Sequence, residues 1–359
     1  MWEERSLNKM KSKSPLSAKN IKLFVGTFSV MFLMVGLSQL GIHAPSILSP
    51  LPTKVDIFDA VEPLLEQKEN TFHLSKPLHL INPVSASGNY ENASSYLLMD
   101  FTSGEILESK HADTSIPIAS LTKIMTAVVA LDLVTPSERF TVTQRAADQV
   151  PTKIGVVAGE KLTLDELLHA MLMTSANDAA EVVRDGVDAK FGGDVFIRAM
   201  NEKAKLIGLT HTHFQNPQGF DSPEHYSSAS DLAVLSHYAL TNYPVLTEIV
   251  KKEYTFLPAT SDHKQYDLYN WNGLLGVYPG ASGIKIGNTD AAGMTTVVTA
   301  TREGKKLLAV LLGAPGILQR DLWTAELLDS GFAQTINGEP VDVTEKMLRD
   351  KYATWKYYH

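Results

Sequence analysis

The sequence predicts an α/β (α+β) domain whose sheet is assembled from segments far apart in the chain. Strand-like stretches stand at both ends of the region from 94 to about 332, and helical ones fill the middle. Size permits it: 359 residues, 44% hydrophobic and 20% charged, can bury a sizeable core and exclude a disordered or low-complexity chain.

SSYLLMDFTSGEILESK (94–110) is a strand, a turn at Thr102-Ser103-Gly104 and a second strand, hence a hairpin at the domain start. A helix is expected from Ser120. In EKLTLDELLHAMLMTSANDAAEVV, Thr163 and Glu166 are spaced as a capping box ahead of Leu164, Leu167, Leu168, Met171 and Leu172, so a helix begins near Thr163. Further helices are expected at Asp194 to Ile207 and Ser230 to Leu240, strands at Gly283 to Ile286, Met294 to Ala300 and Lys306 to Leu312, and a closing helix at Asp321 to Ser330. No internal repeat is present.

The chain ends have another texture. Residues 1–22 carry six basic side chains and two acidic ones, although the whole chain has a net charge of −8. The acidic body repels phosphate backbones and excludes a generic nucleic-acid binder. Residues 23–42 hold no charge, and a helix of 20 residues at a rise of about 1.5 Å each spans a bilayer. With the basic tip at its cytoplasmic side, this segment is expected to be an N-terminal anchor that sends the rest across the membrane, a cleaved signal being the competing reading. Residues 43–93, rich in Pro, Ser and Asn, are expected to be a linker with a short helix near Val55 to Glu66, residues 94–335 the folded domain, and 336–359 a C-terminal tail. The chain has no cysteine, so disulfides, thiolate nucleophiles and Cys-ligated metals are excluded.

Ser120-Leu121-Thr122-Lys123 is a Ser-x-x-Lys motif, which on a helix stacks the lysine one turn above the serine, where a neutral amine can take the hydroxyl proton. Ser6/Lys9, Ser261/Lys264 and Ser282/Lys285 share the spacing, but only Ser120 follows a Pro-bearing approach and precedes an unbroken apolar helix. An ordinary helix N-cap is the plainer alternative for this serine. Ser175-Ala176-Asn177 follows inside or at the end of an apolar helix, where two polar side chains are out of keeping with simple burial and suit a proton relay and an amide donor. Lys285-Ile286-Gly287 lies on an expected strand; its glycine lets a ligand approach the backbone, and its cation beside Lys123 lowers that amine's pKa.

In this order SLTK, SAN and KIG resemble the three signature elements of the penicillin-recognising serine enzymes. IASLTKIMTA, GEKLTLDELLHAMLMTSANDAAEVV, MNEKAKLIGLTHTHFQNPQGFD, HYSSASDLAVLSHYAL and GIKIGNTDAAGMT extend the resemblance to the D-alanyl-D-alanine carboxypeptidases over about Ser94 to Phe332. It implies a β-lactamase/transpeptidase-like fold, an antiparallel central sheet flanked by helices with an all-helical subdomain. It also implies a Ser120 acyl-enzyme formed on a peptidoglycan stem peptide ending in D-Ala-D-Ala, with β-lactams as covalent inhibitors and neither metal nor cofactor. Under the same resemblance Lys123 is the general base, Ser175 a proton relay, Asn177 a substrate or lysine holder, and Lys285 the source of positive field. The oxyanion hole falls at the backbone N–H groups of Ser120 and Asn288 beside Gly287.

Two departures stand out. Relatives usually have Lys-Thr-Gly or Lys-Ser-Gly, whose hydroxyl helps bind the substrate carboxylate; Ile286 has none, and Thr289 or Arg320 is expected to compensate. Many relatives also add a β-rich domain and a C-terminal anchor, whereas about 27 residues follow Phe332 here, and the N-terminal segment is expected to do the anchoring instead. Other functions considered are an endopeptidase that cuts cross-links between stems and a catalytically weak wall-binding protein. His211 and His213, though spaced like metal ligands, have no third partner in the pattern. His225 is read as structural or at the cleft edge, Asp178 as a helix-end or salt-bridge residue, Glu166 as the cap only, and Trp271 and Tyr278 as groove or packing residues. No Glu-x-x-x-Asn element of the class A β-lactamase type stands between Ser175 and Lys285.

Overall fold

A computed structural model describes residues 57–65, 67–75 and 88–355; the basic tip, the apolar segment 23–42 and much of the expected linker lie outside these residues. Among the described residues no helix is long and apolar enough to cross a membrane.

A 3-10 turn over Ile57–Ala60 and helix α1 (Glu62–Leu65) precede strands β1 (Ser95–Asp100) and β2 (Ile106–Lys110), the expected hairpin. A further 3-10 turn, Ala119–Thr122, leads into α2 (Lys123–Leu133), so the α-helix begins at the lysine rather than at Ser120. Then come β3 (Arg139–Thr141), α3 (Gln144–Ala147), β4 (Lys161–Thr163), α4 (Leu164–Met173), α5 (Asn177–Phe191), α6 (Val195–Leu206), α7 (Ala229–Asn242) and α8 (Pro244–Val250). The chain continues through β5 (Tyr254–Leu257), β6 (Tyr266–Tyr269), β7 (Ala281–Thr289), β8 (Gly293–Arg302), β9 (Lys305–Ala314), α9 (Ile317–Ile336) and α10 (Glu345–Tyr352).

The main sheet is antiparallel in the order β2-β1-β9-β8-β7, so β1 pairs with both β2 and the much later β9, and β7 is an edge strand. Alternation along β9 explains the layers. Leu308, Val310 and Leu312 join one core with the helices from α1 to α8, while Leu307, Ala309 and Leu311 join another with Leu327, Leu328 and Phe332 of α9. A sheet covered on both faces needs a continuous apolar run, which is what KKLLAVLLGA supplies.

The capping box at α4 is present: Thr163 accepts from the Glu166 backbone N–H and Glu166 from that of Thr163. The apolar run that follows is broken where the sequence left the matter open. Helix α4 ends at Met173, α5 starts at Asn177, and Ser175 between them has φ of 60°, outside helical space.

Two expected boundaries differ. Phe58, Val61 and Leu65, assigned to the linker, are buried in the main core at helical spacing, and the buried Lys203 donates to the Leu65 carbonyl at 2.7 Å while pairing with Asp132. The Pro-rich surroundings hid this short apolar face. Residues assigned to the tail also belong to the domain: Leu348 of α10 is fully buried against α9, and Trp355 is 8% exposed.

Candidate active site

Ser120 sits in its 3-10 turn because the chain there is held on two sides. Ala119 has φ of 52°, and a Cβ on Gly219 would come within 1.9 Å of its carbonyl oxygen, so the 216–220 loop can lie against the turn only with glycine at 219, where φ is 96°. From the other side a Cβ on Gly287 of β7 would stand 2.9 Å from the Ser120 backbone nitrogen. Thr122 donates to the Ala119 carbonyl at 2.9 Å and meets His225 Nε2 at 2.7 Å. Burial pushes His225 down to about 4, and its Nδ1 accepts from the Gln215 N–H, so a neutral imidazole holds the turn. That is the structural role expected for this histidine.

Lys123 is fully buried and places its Nζ 2.9 Å from Ser120 Oγ, 2.8 Å from Asn177 Oδ1 and 2.7 Å from the Gln218 carbonyl. Burial lowers its pKa to about 7, against the opposing pull of the Asp178 carboxylate. A neutral amine in this position has two N–H donors for Asn177 and Gln218 and one lone pair for the serine hydroxyl. Removing the charge thus turns a donor to Ser120 into an acceptor from it.

Asn177 is fixed by its backbone N–H to the Thr152 carbonyl at 2.7 Å and its Nδ2 to that of Val150 at 3.2 Å. Asp178 stands in the first turn of α5, the helix end expected for it, and is buried there, accepting the backbone N–H groups of Ile154, Gly155 and Val156. Together they hold the 150–156 loop against the site. Ser175, 4% exposed, lies in the break before α5. Lys285, on β7, is 1% exposed and donates to the Ile286 carbonyl at 2.9 Å; burial, then Lys123, then Arg320 hold its pKa well below the usual lysine value.

A cavity of about 380 Å³ opens onto Ser120 and Ser175 and is lined further by Pro151, Thr152 and Trp271, by Ile286, Gly287, Asn288 and Met294 of β7 and β8, and by Ile317, Arg320 and Trp355. A larger hollow of about 460 Å³, lined by Thr143, Arg145, Asp185, Asp188, Gly193 and Asp194, has no serine or lysine in its lining, and its Thr143 hydroxyl is engaged by Asp185. Of the two residues expected to replace the missing hydroxyl, Arg320 lies at the cavity and Thr289 does not. The Thr289 hydroxyl donates to Asp221 at 2.6 Å and accepts from the Ala292 N–H, which ties it into the β7–β8 turn. Tyr278 packs away from the cavity and donates to Asp329, whereas Trp271 lines it. Gln218, Ile317 and Trp355 were not singled out in the sequence. Gln218 acts through its backbone carbonyl, which leaves no signal in residue type, and Trp355 stands in the stretch assigned to the tail.

A family model described as D-alanyl-D-alanine carboxypeptidase matches residues 82–316. The carboxypeptidase DacF of Bacillus subtilis is 30% identical over 247 residues, which are 67% of this chain and 62% of that protein, so the chain spans somewhat under two thirds of that relative. DacB2 of Mycobacterium tuberculosis is 34% identical over 249 residues, covering 67% of this chain and 82% of the relative. The crystal structure of the Streptomyces K15 DD-transpeptidase superposes with a TM-score of 0.63 at 29% identity, over 67% of this chain and 97% of that one. With the serine and the strand glycine in one cavity and the buried lysine 2.9 Å behind that serine, these matches show that the chain belongs to the D-alanyl-D-alanine carboxypeptidase family of serine peptidases.

Proposed function

We propose that the protein is a serine-type D-alanyl-D-alanine carboxypeptidase that removes the terminal D-alanine from peptidoglycan stem peptides. The observation that carries this reading is the Lys123 amine, desolvated to a pKa of about 7 and set between Ser120 Oγ, Asn177 Oδ1 and the Gln218 carbonyl. A wall-binding protein has no use for a lysine held close to neutrality beside a serine.

In the proposed reaction an extended stem peptide lies along the edge strand β7, with its terminal carboxylate toward Arg320. Ser120 Oγ attacks the carbonyl carbon between the two D-alanines as its proton passes to Lys123 Nζ. Negative charge on the carbonyl oxygen is met by the backbone N–H groups of Ser120 and Asn288, and Lys285 adds a positive field when it is protonated. The C–N bond then breaks, the lysine proton reaching the departing amine by way of Ser175, and free D-alanine leaves. Water, deprotonated by the neutral lysine once more, cleaves the ester and restores the Ser120 hydroxyl. Protein side chains and backbone supply every proton acceptor and donor in this sequence. The uncharged segment 23–42 would anchor the enzyme in the membrane with its catalytic domain outside the cytoplasm, or direct its secretion if it is cleaved.

The test is intact-mass spectrometry of the full chain incubated with a fluorescent penicillin, alongside D-alanine release from a pentapeptide stem. A single adduct and D-alanine release, both absent from Ser120→Ala, are expected. Neither adduct nor release from folded protein would put the wall-binding reading in front, and cleavage of cross-linked dimers without D-alanine release would make it an endopeptidase.

Ile286 yields a second expectation. Its side chain lines the cavity without a hydroxyl to offer a carboxylate. Ile286→Thr is expected to raise the rate of penicillin acylation by about tenfold or more, the worth of one hydrogen bond to a charged group. An unchanged or lower rate in a stopped-flow acylation assay means that Arg320 and its neighbours already satisfy the carboxylate.

A further inference from the structure

The family match ends at residue 316, yet the cavity is not complete there: Ile317, Arg320 and Trp355 all come later in the chain. We propose that the C-terminal segment 345–355 is a working part of the substrate pocket, in which Trp355 limits the size of the departing residue and Tyr352 positions Arg320. This rests on the carboxypeptidase reading above and extends it to the identity of the residue released.

The geometry builds outward from Arg320. Its guanidinium, 2% exposed, donates through Nε to Asp321 Oδ1 at 2.7 Å and through Nη2 to Oδ2 at 2.8 Å. A bidentate pair between adjacent residues fixes the plane of the guanidinium. Asp321 Oδ2 also accepts from the Tyr352 hydroxyl at 2.8 Å, and that hydroxyl lies 3.4 Å from the Ile317 carbonyl. The contact is close-fitted, since a Cβ on Gly273 would come within 2.1 Å of Asp321 Oδ2 and 2.7 Å of the Tyr352 ring. Tyr352 therefore reaches from α10 to lock the carboxylate that orients the arginine.

Trp355 continues the same construction. Its backbone N–H donates to the Tyr352 carbonyl at 3.1 Å, and the two rings meet with centroids 4.8 Å apart. This tilted contact, at 38° between the ring planes, ties Trp355 to Tyr352, and Trp355 lines the cavity together with Ile317 and Trp271. A carboxylate held by Arg320 puts the side chain of the departing residue among these apolar walls. Methyl is a small group, and a rigid aromatic wall discriminates against larger ones by occupying their space.

The experiment measures kcat/KM for two stem peptides, one ending in D-Ala-D-Ala and one in D-Ala-D-Leu, with the full-length enzyme and three variants. Trp355→Ala is expected to improve the D-Leu to D-Ala ratio by about tenfold, as for hydrophobic pockets changed by a few carbons. Trp355→Phe, which keeps a ring in place, is expected to hold the ratio within about twofold. An equal change on both peptides in Trp355→Ala overturns the size role. Tyr352→Phe is expected to raise KM for D-Ala-D-Ala several-fold at nearly constant kcat, the mark of lost binding rather than lost chemistry. A fall in kcat at constant KM, or no change in either, overturns the positioning role. If the wild-type enzyme releases no D-amino acid from either peptide, the carboxypeptidase reading itself has failed, a result separate from any shift in the ratio.

Discussion

Replacing Lys123 by alanine is expected to slow acylation of Ser120 by about a thousandfold, within the range that one general base contributes. The protein should remain folded, because Asn177 keeps its bonds to the Thr152 and Val150 carbonyls and the Gln218 side chain keeps its bond to Glu181. The pH profile carries the sharper content. Acylation needs the uncharged amine, so its rate should rise with pH through the Lys123 value of about 7. One unit below that value it should be about a tenth of the plateau. Asp178 pulls this value upward, so Asp178→Asn, which removes the anion but keeps only one of the two oxygens that accept from the 154–156 backbone, is expected to move the acid limb to lower pH. Stopped-flow acylation with a chromogenic penicillin across this range is the measurement. A rate independent of pH around neutrality, or an acid limb that moves upward in Asp178→Asn, would remove Lys123 as the base.

The second large effect is expected at Gly287. An alanine Cβ there meets the Ser120 backbone nitrogen at 2.9 Å, Ala119 Cβ at 3.0 Å and Thr295 Oγ1 at 2.5 Å. The threonine hydroxyl can turn aside, but Ser120 N belongs to a turn already held by Gly219, Thr122 and His225. Strand β7 must then retreat from the nucleophile, and the N–H groups of Ser120 and Asn288 no longer share one focus. Acylation is expected to fall about a hundredfold, as when an oxyanion donor is lost. Unfolding free energy should drop by about 1 to 3 kcal/mol from overpacking. Thermal unfolding and acylation measured on the same Gly287→Ala sample separate the two. Near wild-type acylation would mean that β7 does not hold the oxyanion.

Local chemistry made much of this molecule legible from its residues. The capping box at Thr163 and Glu166 fixes where α4 starts, because both partners lie within one turn. Turn residues at 102–104 fix the first hairpin, and the apolar run of β9 reports burial on both faces. Features that depend on distant contacts were not legible. Ser175 leaves helical space because the chain must turn between α4 and α5, and nothing in the composition of an apolar run says where that happens. The Gln218 carbonyl reaches Lys123 by way of backbone shape, to which side-chain type is blind. Thr289 follows the motif on the same strand, and only the fold shows its hydroxyl engaged by Asp221. The last helix is polar over most of its surface and buries Leu348, so its sequence resembles that of a solvated tail.

The strand order has a consequence for when the enzyme becomes active. With β1 hydrogen-bonded to β9, the first strand of the main sheet waits for the last before either has both neighbours. Pairings of such long sequence separation close slowly, since the entropy of the intervening loop is lost before any contact offsets it. Ser120 is made after a third of the residues, but Lys285 arrives on β7, Arg320 on α9 and Trp355 past α10. A chain still leaving the ribosome therefore holds an ordinary alcohol at position 120, and reactivity is the last property that synthesis confers.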